Sequence, residues 1–399
     1  MKKVRDGYKI TELGEIPSDW NIMKLSEVAE IVMGQSPDSS SYNDTEDGVA
    51  FFQGKTEFGR INPVVKKWCN NPTKISKPLD ILISVRAPVG DVNINNIEAC
   101  IGRGLGAIRA TSSSNYKYLY YAIQKYNNQL KKASQGSTFE AINSNDLKGL
   151  KLLIPHIDEQ EKIALILSNV DEQIDNVDAL IEKNKELKKG LMQTLLTKGI
   201  GHTKFKKTEI GEIPEEWDVK KLECVFEILD SMRKPIKASD REKIEGNIPY
   251  YGASGVIDWI NDYIFDEELI LLGEDGENLN SRNSDLAFKI SGKTWVNNHA
   301  HVFRVINKKE CNIDFMVYYL EAKDYSIYIA GSAQPKITQA QCRKFLLPLP
   351  EKQEQDKIAS ILLESDKKIE EYENKKQKLE ELKKGLMQQL LTGMIRVTV

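Results

Sequence analysis

Two triplets, Gly54-Lys55-Thr56 and Gly292-Lys293-Thr294, have the ending of a phosphate-binding loop. Such a loop needs a further glycine five positions before its last one, so that backbone N–H groups can close around the phosphates. Those positions hold Val49 and Ala287, so the cradle is not encoded. Gly102-Arg103-Gly104-Leu105-Gly106 is glycine-rich but follows no βαβ start, which leaves dinucleotide or S-adenosylmethionine binding unsupported. Asn71-Pro72-Thr73-Lys74 opens like a base-flipping loop but lacks the aromatic ring that would stack a flipped base, so it reads as a turn. His299-Ala300-His301 offers two imidazoles and no third ligand. On a strand the two would point the same way, and they read as a packed or solvated pair rather than a metal site. With four histidines in the chain and no Gly-x-Ser-x-Gly, a hydrolase triad has little support. The expectation is a binding protein with no catalytic, cofactor or metal residues of its own.

The elements that position these stretches belong to a chain of 399 residues, 40% apolar, enough for roughly two to four domains. Its five cysteines are scattered without a Cys-x-x-Cys pair, which suits a reducing cytoplasm. The N-terminus lacks the apolar core of a signal peptide. No run approaches about 18 apolar residues, so no membrane span is expected. Net charge is −3. Residues 1–157 carry +4, residues 158–199 carry −3, residues 200–350 carry −4, and residues 351–399 are neutral. A nucleic-acid partner would therefore not be held by bulk charge.

The chain is written twice, with a period near 195 residues. TELGEIPSDWNIMKL from Thr11 returns as TEIGEIPEEWDVKKL from Thr208. EQEKIALIL from Glu159 returns as EQDKIASIL from Glu354, and ELKKGLMQTLLT from Glu186 as ELKKGLMQQLLT from Glu381. Gly136-Ser137 with Ile142 matches Gly331-Ser332 with Ile337. The interiors, roughly 26–134 and 223–329, share little, so a common frame presents two different surfaces. Apolar residues at 163, 167, 170, 174, 177 and 181, and at 358, 362, 369, 372, 379, 382, 386 and 390, follow the spacing of a coiled-coil seam. Pro155 and Pro350, each followed by acidic residues, mark the two helix starts. Gly190 and Gly385 lie inside the pattern, where they would let two helices approach closely. Pro78–Val85, Leu269–Leu272 and Val302–Ile306 read as strands between Gly/Asn/Pro turns. The expected plan is α+β: a globular region over 1–157, a helix over 158–199, a second globular region over 200–350 and a C-terminal helix over 351–399. The helices are expected to pair antiparallel, the alternative being that each packs on its own globular region, and the internal repeat is pseudo-twofold.

The GEIPxxW opening, the globular region and the helix ending ELKKGLMQxLLT, all repeated, resemble the specificity subunit of type I restriction–modification enzymes over essentially the full chain. Further matches are Ser84-Val85-Arg86-Ala87-Pro88-Val89-Gly90 and Gly136-Ser137-Thr138 in the first half. In the second half they are Tyr250-Tyr251-Gly252-Ala253-Ser254-Gly255, Gly273-Glu274-Asp275-Gly276, Asn297-Asn298-His299 and Gly331-Ser332-Ala333-Gln334-Pro335-Lys336. The resemblance implies two target-recognition domains reading the halves of a split, asymmetric site in double-stranded DNA. It implies helices that dock two methyltransferase subunits, with restriction subunits joining them. S-adenosylmethionine, ATP and magnesium would belong to those partners, and the isolated chain could self-associate. A helix from about 158 to 196 is about 58 Å long, against about 34–36 Å for a duplex turn, so helix length would set the gap between half-sites. Base edges are read by Arg, Lys, Asn and Gln. The candidates for DNA contact are Lys55, Arg60, Arg86, Arg103 and Gln135 in the first half, and Arg233, Lys234, Arg282, Asn298, Gln334 and Lys336 in the second. The alternatives are a similar scaffold in another methylation system, an enzyme with an unrecognised centre, and a coiled-coil adaptor that binds no DNA.

Overall fold

The computed structural model describes residues 4–135, 140–331 and 334–397. Gly136-Ser137-Thr138 and Ser332-Ala333 of the quoted motifs lie outside the described residues. Two long helices dominate the chain, Ile157–Lys198 and Lys352–Leu390. The compact units divide it through the middle of both: residues 1–178 with 374–399, and residues 179–373. The sequence plan divides the chain at the helix ends instead. The difference arises because each half of a long helix buries its apolar stripe in a different core.

In the first unit Ile163 and Leu167, from the start of the first long helix, share a core with Leu390, Leu391, Leu386 and Met387 from the end of the second. Lys383 meets Asp171 at 2.8 Å and Lys376 meets Asp178 at 2.7 Å, so the segments run antiparallel. In the second unit Leu195 and Leu196 share a core with Ile358, Ala359 and Leu362. Lys185 meets Glu373 at 3.3 Å and Lys188 meets Asp366, again antiparallel. The first stripe is buried at all six expected positions. The second departs at Leu382, which is 50% exposed, as is its repeat counterpart Leu187 at 57%. There the neighbouring Lys383 turns inward to Asp171 and over the Tyr121 ring, which rotates Leu382 outward. Gly190 and Gly385 are exposed, and an added methyl group at either would meet nothing within 4 Å, so they do not serve close helix approach. The second helix also ends earlier than expected: beyond Leu390 the chain turns at Gly393 (φ 68°) and packs against the first unit.

The interiors, dissimilar in sequence, fold alike. Each unit has a four-stranded antiparallel sheet in the same order. The first is 92–94, 81–84, 105–110, 29–33, and the second 287–290, 269–273, 300–305, 226–228. The expected strands are present as Ile81–Ser84, Leu269–Gly273 and Ala300–Val305. Each unit also has a second sheet built on one parallel pair, Val49–Phe52 with Ala99–Ile101 and Glu245–Gly252 with Lys293–Val296. An arginine braces the first sheet type in both units. Arg109 meets Asp80 at 2.7 Å and Glu30 at 3.2 Å; Arg304 meets Glu267 at 2.5 Å and Glu227 at 2.9 Å.

The repeated tryptophan and the repeated Glu-Gln pair form one joint, made twice. Trp20 Nε1 donates to Glu159 Oε2 and Trp217 Nε1 to Glu354 Oε2, both at 3.0 Å. Gln160 accepts from Asn115 N and donates to Pro155 O; Gln355 accepts from Asn312 N and donates to Pro350 O. Asn115 and Asn312 in turn cap the helices Tyr116–Tyr126 and Ile313–Ala322. The segment after each long helix completes the joint at the start of the other. Arg396 grips Glu159 at 2.8 and 2.9 Å and Asp19 at 2.8 Å, and its hydrogen bond holds the Asp19 carboxyl below the usual range. In the second unit, Ile200 N and His202 Nε2 reach Glu354 Oε1, each at 2.9 Å. Trp217→Phe removes the indole donor from Glu354 and should lower unfolding free energy by about 1–3 kcal/mol in urea titrations followed by circular dichroism. Leu167→Ala should cost about 2–5 kcal/mol, and Leu187→Ala at most about 0.5 kcal/mol. Equal losses at the two leucines would contradict this assignment of the stripe.

Candidate nucleic-acid interface

In the first unit three loops converge where the two sheets meet: 34–36, 53–55 and 102–104. Gln35 N donates to Ile101 O, Gly102 N to Phe52 O, and Arg103 N to Ser36 Oγ. Glycine is needed at the crossing. A methyl group at Gly34 would overlap the Gly102 carbonyl oxygen, and one at Gly104 would lie 2.6 Å from Gln53 O. The 85–86 segment joins them, with Val85 N bonded to Gly104 O and Ile142 N to Val85 O. Gln35, Gln53, Lys55, Arg86 and Arg103 are exposed along this edge.

The second unit repeats the backbone frame with other side chains. Lys234 N donates to Val296 O, Asn297 N to Tyr251 O, Glu274 N to His299 O, and Ile337 N to Glu274 O. By these bonds Lys234 stands where Gln35 does, Asp275 where Arg86 does, Asn298 where Arg103 does, and His299 where Gly104 does. The isolated pairings agree: Arg86 faces Ala141, and Asp275 faces Lys336. A cationic edge in one unit is thus a mixed one in the other, where His299 Nδ1 lies 2.9 Å from Asp275.

Beneath the second edge lies a buried ion network. His301 is 1% exposed. Its Nδ1 is 2.6 Å from Asp230 Oδ2 and its Nε2 is 2.9 Å from Ile337 O. A carbonyl oxygen only accepts, so Nε2 carries a proton. A bare Nδ1 would face a carboxylate lone pair, so Nδ1 carries one too, and the ring is an imidazolium. Burial opposes this charge, but hydrogen bonds to Asp230 and Cys342 outweigh it and raise the pKa to about 10. Glu274 accepts from Arg233 Nη1 at 2.5 Å and Lys336 Nζ at 2.9 Å. Among the described residues, Asp230, Glu274 and His301 form a group whose ligand atoms lie within 4.8 Å of one another. The donors already on them mean that a metal ion would have to displace Arg233 and Lys336, so the group does not fit one. His299 and His301 do not form a pair on one face. The strand begins at Ala300, which leaves His299 exposed and His301 inside.

The structure sorts the candidate readers. Arg86, Arg103 and Gln135 are exposed, and their side chains make no hydrogen bond or ion pair with the described residues. Lys55 is exposed and pairs with Asp91. Lys234, Asn298 and Gln334 are exposed on the second edge, and Lys336 is half-exposed there. Three arginines are engaged by groups of the protein instead. Arg60 binds Asp171 and Asp175 of the first long helix. Arg233 is 12% exposed, in the ion network. Arg282, in the left-handed conformation (φ 51°), donates to the carbonyls of Glu321 and Lys323 at the end of Ile313–Ala322. Gln35, Gln53, Asp275 and His299 also lie on these edges and are not among the candidates that the sequence gives. The signal available for them was adjacency to the repeated glycine turns. Neither glycine–lysine–threonine triplet opens a helix: Lys55–Glu57 is one short turn and Lys293–Val296 is a strand.

A likeness of fold accompanies this geometry. A type I restriction–modification system S subunit from M. genitalium superposes with a TM-score of 0.64 at 17% identity, covering 99% of each chain. A chain from a structure of complex assembly and conformational transition in a type I R-M system gives 0.55 at 16% identity, over 95% of this chain and 99% of that one. In sequence, the type I restriction enzyme MjaVIII specificity subunit of Methanocaldococcus jannaschii is 28% identical over 96% of this chain and 94% of its own. A putative MjaX specificity subunit of that organism is 41% identical, over 48% of this chain and 45% of the relative. The sequence profile of the type I restriction modification DNA specificity domain matches residues 17–188 and again 214–381. With both halves matched, the chain belongs to the type I restriction–modification specificity subunit family.

Proposed function

We propose that this chain selects DNA for a type I restriction–modification enzyme and carries out no chemistry itself. Each unit reads one half of a split, asymmetric double-stranded site. Two methyltransferase subunits dock on the long helices and restriction subunits join them; these partners bring S-adenosylmethionine, ATP and magnesium. The cytoplasm is the compartment this role requires. No helix of the described residues is long and apolar enough to cross a membrane. The observation that carries the reading is the pair of loop edges with one backbone hydrogen-bond frame and different side chains: Arg86 against Asp275, and Arg103 against Asn298. Direct readout depends on side-chain donors and acceptors, so such edges select different bases from equivalent positions. Exposed leucines on the helices, Leu165, Leu187 and Leu382, fit surfaces covered in a larger complex and self-association without it.

Co-expression with the methyltransferase subunit, followed by sequencing of N6-methyladenine in host DNA, should return a split motif with a fixed gap. An assembled complex that leaves no new methylation would favour the adaptor that binds no DNA. The first long helix begins in one unit and ends in the other. Deleting residues 179–185 and 369–375 together keeps the antiparallel register and removes about 10 Å of helix. The gap should shorten by about three base pairs with both half-sites retained. An unchanged gap would show that the helices do not set it.

A further inference from the structure

We propose that Lys336 is the specificity-determining cation of the second unit and that Glu274 is the positioning residue that aims it. This rests on the DNA-reading function proposed above. The two cations bound to Glu274 differ in what they have left to offer. Arg233 donates through Nε to Asp230 O at 3.0 Å, and through Nη1 to Glu274 at 2.5 Å and Ala300 O at 2.7 Å. Its Nη2 lies 3.5 Å from Asp230. Buried and engaged through all three of its guanidinium nitrogens, it supports the loop and is not presented to a base edge.

Lys336 is 48% exposed, and an ammonium has three donors. One is directed to Glu274 Oε1, and the half-exposed head leaves the others free to donate to a base acceptor such as guanine O6 or N7. Its backbone is held on two sides, by N–H and carbonyl bonds to Ala330, each 2.9 Å, and by the bridge to Asp275. The next residue is anchored twice more: Ile337 N donates to Glu274 O at 2.8 Å, and His301 Nε2 donates to Ile337 O. A lysine normally loses much rotamer freedom when it is fixed. Here much of that ordering precedes DNA binding. The first unit has no counterpart: Val85 stands at the Glu274 position and Gly106 at that of His301. The device therefore serves one half-site alone.

The test uses the full chain assembled with its methyltransferase subunit, with methylated motifs read by sequencing. Lys336→Met should lower discrimination at one position of the second half-site by about tenfold or more. Lys336→Arg should keep the preference there, and Glu274→Gln should relax the same position. The first half-site should stay unchanged in all three. Arg233→Lys should lower the melting temperature without altering the base chosen. If Glu274→Gln fails to fold, the half-exposed Lys336→Met decides alone. An unchanged second half-site in Lys336→Met, or a new base choice in Arg233→Lys, overturns the inference. A wild-type complex with no split motif would instead overturn the DNA-reading function, a separate failure.

Discussion

The architecture hangs on a carboxylate placed at the first turn of each long helix. Glu159 and Glu354 are taken largely out of water, a state tolerated only when their oxygens are paired. The pairing is drawn from three distant stretches: an indole from the opening motif, the helix that carries the glutamate, and the segment that follows the other long helix. Losing the Arg396 guanidinium would leave the buried Glu159 charge without its counter-ion, at a cost of about 3–5 kcal/mol, more than the loss of a neutral indole donor. The joint therefore ties the start of the globular region, the start of one helix and the end of the other into one condition. The tyrosines make a second such tie, Tyr121 to Asp171 at 2.6 Å and Tyr318 to Asp366 at 2.5 Å. Both ties recur near the repeat period, and the residues of the first lie in the boundary stretches that the sequence writes twice.

The interiors obey a looser condition. A sheet asks for backbone hydrogen bonds and for apolar side chains on the buried face, and many sequences satisfy both. Ile81, Leu82 and Ile83 in one unit and Ile270, Leu271 and Leu272 in the other fill equivalent strands without needing a common motif. The loop edges inherit the frame through main-chain bonds, which are indifferent to side-chain type. That freedom lets one scaffold carry Arg86 in one unit and Asp275 in the other.

The legible and the hidden parts of the structure follow from this. The helix stripe could be read because its period is a property of adjacent turns, and Ile163 through Ile181 are all buried as read. The inward turn of Lys383 could not, because it depends on Asp171, 212 residues away. The repeat exposed Trp20 and Glu159 as important but not as partners, since 139 residues separate them. The expected α+β repeat is present, while the likeness of the two interiors was invisible for want of shared side chains. Among the candidate readers, residue type marked every loop arginine as equally plausible. Whether a guanidinium faces solvent, a carboxylate or the carbonyls at a helix end is decided by long-range packing, as with Arg60, Arg233 and Arg282.

The division of the chain through its helices has a consequence for synthesis. The second unit is one continuous stretch, whereas the first is assembled from both ends of the sequence. Residues 1–178 leave the ribosome before residues 374–399, so their core lacks Leu386, Met387, Leu390 and Leu391 until the second unit has been made. Of the two units, the one whose synthesis begins first is thus completed second, and it must wait with an apolar face open while the other folds. A stop codon or frameshift near residue 374 would accordingly spare the adjacent unit and cripple the one whose synthesis had begun some 370 residues earlier.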